Sequence, residues 1–135
     1  VVTVQVGIND ILDRYISHDD YRSNISAVLD GLTRIVPPER IFVVTTPDHT
    51  LTAGGLGWTS REAGSAAVAE VNDIITEVAT ERGITVVDIS PVNGLVAVDP
   101  SLVIEGGLYP TAKQYAGWVQ VIGQHMQRAL TRMEP

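Results

Sequence analysis

Val1-Val2-Thr3-Val4-Gln5-Val6-Gly7-Ile8-Asn9-Asp10 opens the chain as a β-branched run that stops at a glycine and two short polar residues. Branched side chains suit a pleated sheet better than a helix, so residues 1–6 are read as a buried strand. Gly7 lets the backbone turn sharply at that strand's carboxyl end, the edge where open α/β sheets place their ligands.

Beyond that strand, Ile25, Val28, Leu29, Leu32, Ile35 and Val36 recur at three- and four-residue intervals. They predict a helix of about 16 residues, with N-caps available in residues 17–20 and a stop at Pro37-Pro38. Residues 41–46, Ile-Phe-Val-Val-Thr-Thr, read as a second buried strand closed by Pro47. A glycine-rich loop over residues 48–59 carries His49 and Trp58. The next helix is expected from Ser60 to Arg82, with Val68, Val71, Ile74, Ile75 and Val78 on one face and Gly83 free to take positive φ at its end. Residues 84–89 form the third strand and residues 90–108 an irregular stretch. Thr111 then caps a last helix to about residue 133, with Tyr115, Val119, Ile122, Met126 and Leu130 facing inward and Trp118 in core packing.

Strands alternating with helices predict one α/β domain over residues 1–135, a parallel sheet with helices on both faces. Three strands make a narrow sheet, and a parallel strand as apolar as residues 1–6 normally has neighbours on both sides. One or two further strands are therefore expected, from an N-terminal segment or from another copy of the chain by self-association. That the chain opens at Val1, already inside a strand and without an initiator Met, points to an incomplete N-terminus.

Composition narrows the chemistry. With a net charge of −7 and nine scattered Lys and Arg, the chain has no basic face for nucleic acid or an anionic membrane. No apolar run approaches the roughly 20 residues of a membrane span. The absence of cysteine removes disulfides, thiolate nucleophiles and Cys-based metal sites, and His18, His49 and His125 lack ligand spacing, so neither metal nor cofactor is implied. His18 belongs to a polar N-cap region and His125 reads as an exposed helix residue. Ser17, Ser60, Ser90 and Ser101 read as caps or turns, and Glu105 as a solvated carboxylate.

Two blocks carry a resemblance. Gly107-Leu108-Tyr109-Pro110-Thr111-Ala112-Lys113-Gln114-Tyr115-Ala116-Gly117-Trp118-Val119, opening the last helix, resembles the closing motif of the GDSL/SGNH family of serine ester hydrolases. That motif runs Asp-x-x-His-Pro into a helix containing Tyr-Ala. Gly7-Ile8-Asn9-Asp10 is similar to the family's Gly-x-Asn-Asp block, and the blocks stand about 100 residues apart, in the family's order. The resemblance spans the whole chain. It implies a three-layer α/β/α, flavodoxin-like parallel sheet with three of five strands present, and a small ester or acyl substrate. By the same resemblance Asn9 takes the place of the side-chain amide that donates to the oxyanion, a contact worth about 3 kcal/mol of barrier when aimed at the developing charge. Asp10 braces the following turn. Gly7, His49 and Trp58 are the expected substrate-binding residues, His49 because it follows the second strand on the functional edge.

The departures are as specific as the matches. Tyr109 stands where the family has its general-base His, and Gly106 where it has the orienting Asp. A phenol, ordinarily near pKa 10, is a poor base at neutral pH, and glycine can orient nothing. The blocks bearing the nucleophilic Ser and the second oxyanion donor precede Gly-x-Asn-Asp in the family and are not among these residues. Three readings follow: a degenerate ester hydrolase inactive by itself, a binding or assembly module using the open strand edge, and an enzyme in which Tyr109 is an acid or hydrogen-bond donor beside Asn9.

Overall fold

The computed structural model describes residues 1–13, 16–57 and 59–131. Among them, three strands, β1 (Val2–Val4), β2 (Ile41–Val44) and β3 (Thr85–Val87), form one sheet in the order β1-β2-β3. Both pairings are parallel, with Val2 opposite Ile41 and Phe42 opposite Thr85. Five helices accompany them: α1 (Ile8–Asp13), α2 (His18–Thr33), α3 (Arg61–Thr80), α4 (Ser90–Asn93) and α5 (Ala112–Thr131).

Side-chain alternation along the strands splits the core in two. Ile41 and Val43 join Val4, Leu29, Ile75 and Val78 in an aliphatic cluster under α2 and α3. Phe42 and Val44 face the other way and meet Val87, Ile89 and Trp118 beneath α5. Helices therefore cover both faces of the sheet, as an α/β/α sandwich requires. No helix is long and apolar enough to cross a membrane among the described residues.

Local signals placed several ends. Ser17 caps α2 by accepting the Asp20 N–H at 3.1 Å, and Ser60 caps α3 by accepting the Ala63 N–H at 3.3 Å. Gly83, at φ +69°, follows α3, where the Ile84 N–H reaches back to the Ala79 carbonyl at 3.0 Å.

The strands are shorter than the apolar runs predict. Val1 and Val6 are exposed, and side chains take over from the ladder: Gln5 donates to the Thr45 carbonyl at 3.2 Å and the Thr46 hydroxyl to the Val6 carbonyl at 2.8 Å. Asn72 pairs with both backbone groups of Thr46, at 2.7 and 3.0 Å, so β2 leaves the sheet with its polar groups satisfied. The α2 stripe also ends early, because the helix closes at Thr33 and leaves Ile35 exposed, while Val28 is half-exposed within it. On α5 the expected inward face holds in part, at Ile122, Met126 and Trp118. Tyr115 and Val119 are exposed, and Gln114, Trp118, Val121, Ile122 and Met126 are the residues that turn toward the sheet. The irregular stretches contain short turns of helix, at His49–Leu51, Gly55–Gly57, Gly94–Ala97 and Pro100–Leu102, besides α4.

Candidate functional site

A cavity of about 300 Å³ opens at the carboxyl ends of the strands, on the α5 side of the sheet. Each strand exit contributes to it. From β1 come Gln5, Val6, Ile8 and Asn9; from β2 come Thr46, Pro47, Asp48, His49 and Thr52; beyond β3 come Asn93 and Val96. Val103, Leu108, Tyr109 and Pro110 form one wall, and Gln114, Tyr115 and Trp118 of α5 another.

The residues singled out in the sequence are distributed unevenly around it. Asn9, exposed in the first turn of α1, and Tyr109, 65% exposed, both line the cavity. His49 lines it too, as a side chain only 6% exposed although it lies in the glycine-rich loop. Gly7 lies behind the cavity. At φ +117° it holds a conformation open to glycine, and a Cβ there would stand 2.8 Å from the Tyr21 hydroxyl and 3.1 Å from Thr46 Oγ1. Trp58 lies outside the described residues. Glu105 and Gly106 are exposed and line a neighbouring groove with Gly107 instead. His18, at the start of α2, lies 3.3 Å from Glu70, and His125 Nδ1 is 3.0 Å from the Val121 carbonyl on its own helix.

The walls are held by hydrogen bonds that no local pattern announces. Asp48 accepts from the Thr50 N–H at 2.8 Å, the Thr50 hydroxyl at 2.6 Å and the Ser65 hydroxyl at 2.5 Å, which fixes the segment leaving β2 against α3. Asn93 donates to the Asp48 carbonyl at 3.2 Å, and Gln114 to the Val92 carbonyl at 3.2 Å, tying α4 to both sides of the cavity. Gln114 is buried on the α5 face shared with Trp118, so a polar residue inside an apolar stripe was the available signal once that face was taken as the inner one. Residues 103–110 fold back on themselves, with Val103 bridged to Pro110, Ile104 N–H donating to Tyr109 at 3.0 Å, and Gly106 and Gly107 at φ +91° and +76° at the tip. Gly54 meets that tip closely: its N–H donates to the Gly107 carbonyl at 3.2 Å, and a Cβ on it would fall 2.7 Å from the Gly106 carbonyl oxygen.

A model of the GDSL-like lipase/acylhydrolase family matches residues 1–116, a stretch that includes both the Gly7–Asp10 block and residues 106–110. The chain belongs to that family. Among solved structures, this GDSL-like chain is similar to LAE5, described as an alpha/beta hydrolase enzyme from the metagenome of Lake Arreo, Spain, with a TM-score of 0.66 and 19% identity. The match covers 98% of this chain and 60% of that one, so the GDSL-like chain spans less than two thirds of the LAE5 length. At that identity the likeness is one of fold. No curated protein matches the sequence.

Among the described residues Asp48 is the one charged group on the cavity, and no Lys or Arg lines it. Burial pushes the His49 imidazole below its ordinary value, with the Asp48 carboxylate opposing. His49 is therefore neutral at pH 7. Both of its ring nitrogens, and the indole nitrogen of Trp118, are buried without a hydrogen-bond partner. No serine is among the lining residues, so what the described residues assemble is an amide donor at the rim, apolar walls and unpartnered polar atoms.

Proposed function

We propose that this chain forms the oxyanion and substrate-binding side of a GDSL-type ester hydrolase site for a small ester or acyl compound, and that it does not turn esters over by itself. One observation carries the reading: Asn9 and Tyr109 stand on one cavity at the functional edge of the sheet, and that cavity has no serine among its lining residues. An amide donor can stabilise a tetrahedral oxyanion only after a nucleophile has attacked, and the phenol at the family's general-base position is poorly suited to generate one. The family's serine block would have to reach the cavity past β1, the strand nearest Asn9. A p-nitrophenyl acetate assay tests the reading. The expected rate equals that of the Asn9→Ala protein; ester turnover that disappears on Asn9→Ala overturns it.

A second reading, an assembly module, is favoured by the edge of β1, which pairs on one side with β2 and on the other with nothing among the described residues. Such an edge invites another strand. Light scattering during size-exclusion chromatography distinguishes the two, because a monomer at every concentration removes the assembly reading.

A further inference from the structure

Two of the least exposed side chains on the cavity are polar and unsatisfied. His49 is 6% exposed and Trp118 4%, and His49 Nδ1, His49 Nε2 and Trp118 Nε1 have neither a hydrogen-bond partner nor exposure to solvent. A buried polar atom without a partner is costly, and native structures retain few of them. Three on two residues lining one cavity are a concentration that core packing does not account for. Among the described residues, the aliphatic cluster on the opposite face of the sheet has one such atom, the Tyr21 hydroxyl.

The inventory of these atoms restricts what satisfies them. The indole nitrogen only donates, and a neutral imidazole donates at one nitrogen and accepts at the other. Together they want a ligand that both accepts and donates. A carboxylate or phosphate fits poorly, because no Lys or Arg lines the cavity among the described residues, the imidazole is neutral, and Asp48 beside it is an acid. A plain hydrocarbon chain would leave all three atoms unpaired.

We infer that His49 and Trp118 are specificity-determining residues selecting an uncharged, hydroxyl-bearing acyl or alkyl group over its hydrocarbon counterpart. The inference rests on the reading of this cavity as an ester site, and names the class of ester. The group is small, because the cavity holds about 300 Å³ and residues 103–110 wall it. The atoms are covered in this structure, so binding turns the two rings toward the ligand, whose hydroxyl donates to an imidazole nitrogen and whose oxygens accept from the indole N–H.

The matched pair ethyl 3-hydroxybutyrate and ethyl butyrate tests this by equilibrium titration, followed by long-range ¹H–¹⁵N spectra of the imidazoles and by the Trp118 indole signal, assigned with Trp118→Phe. The hydroxy ester is expected to bind about tenfold more tightly, the scale of a net buried hydrogen bond, and to shift the His49 nitrogens and the Trp118 indole proton. In His49→Phe both esters still bind and the preference falls to about one. Equal affinities in the unsubstituted protein, or a preference unchanged in His49→Phe, overturn the inference while leaving the ester cavity standing. Binding of neither ester removes both. If His49→Phe does not fold, the imidazole shifts of the unsubstituted protein decide alone: shifts with the hydroxy ester and not with ethyl butyrate support the inference, and their absence overturns it. Hydrolysis is not the readout, so ester turnover by the chain would overturn its inactivity without touching this result.

Discussion

The two faces of the sheet are built for different ends. Under α2 and α3 lies an aliphatic core in which Leu29, Ile41, Val43 and Ile75 are fully buried. Under α5 the cluster is smaller, several of its members, such as Val121, Ile122 and Met126, are only partly buried, and its upper end gives way to the cavity with the unpartnered atoms of His49 and Trp118. One face is closed and aliphatic, and the other keeps buried polar atoms without partners. A division of this kind is expected wherever a site needs unsatisfied groups that a closed core would not tolerate.

The largest expected effect falls on the closed face. Leu29→Ala removes a fully buried side chain and should cost about 2–5 kcal/mol in urea unfolding, whereas Met126→Ala, partly buried beneath α5, should cost about 1 kcal/mol. Equal losses would break the comparison. Gly7→Ala comes next, at about 1–3 kcal/mol, because φ +117° is strained for alanine and its Cβ meets the Tyr21 hydroxyl. Tyr21→Phe should recover part of that loss, since it removes the obstructing atom and an unpartnered hydroxyl, one that burial and the nearby Asp10 push up to about 12. The smallest effect belongs to the cavity face and appears only with pH. His49 titrates below its ordinary 6.5 in the folded protein, so the unfolded chain binds a proton that the folded chain refuses. Its contribution is complete above pH 6.5 and is lost as the pH falls below it, with a slope of at most about 1.4 kcal/mol per pH unit. Denaturation midpoints from pH 7.5 to 5 should show that decline, and His49→Phe should flatten it. The partly exposed Asp99, held down to about 2 by Lys113 and Ser101, adds its own loss in a separate window below 3.8.

These contrasts also explain what could be read in advance. The order of strands and helices, the family, and the caps at Ser17, Ser60 and Gly83 rest on short-range signals: β-branched runs, helical spacing, a hydroxyl three residues before a free N–H. On α5 the inward Ile122, Met126 and Trp118 are legible from spacing and size, whereas Tyr115 and Val119 are not, because apolar residues occupy both candidate stripes and only docking against Phe42 and Val44 selects between them. The ends of β1 and β2 were overextended because Gln5, Thr46 and Asn72 take their hydrogen bonds by side chain. Asn9 and Tyr109 were legible through motif, while the burial of His49 depends on segments far from it in sequence that close the cavity around it. No local pattern encodes that enclosure.

The close approach of Gly54 to residues 106–108 bears on how such a cavity diversifies. Any side chain at position 54 would press on the backbone that carries Leu108 and Tyr109, both wall residues, although position 54 is not itself in the wall. The bore of the cavity is therefore adjustable from behind. A lineage could widen or narrow what it admits by exchanging a residue that never meets the guest, and a comparison of relatives confined to lining positions would miss the change.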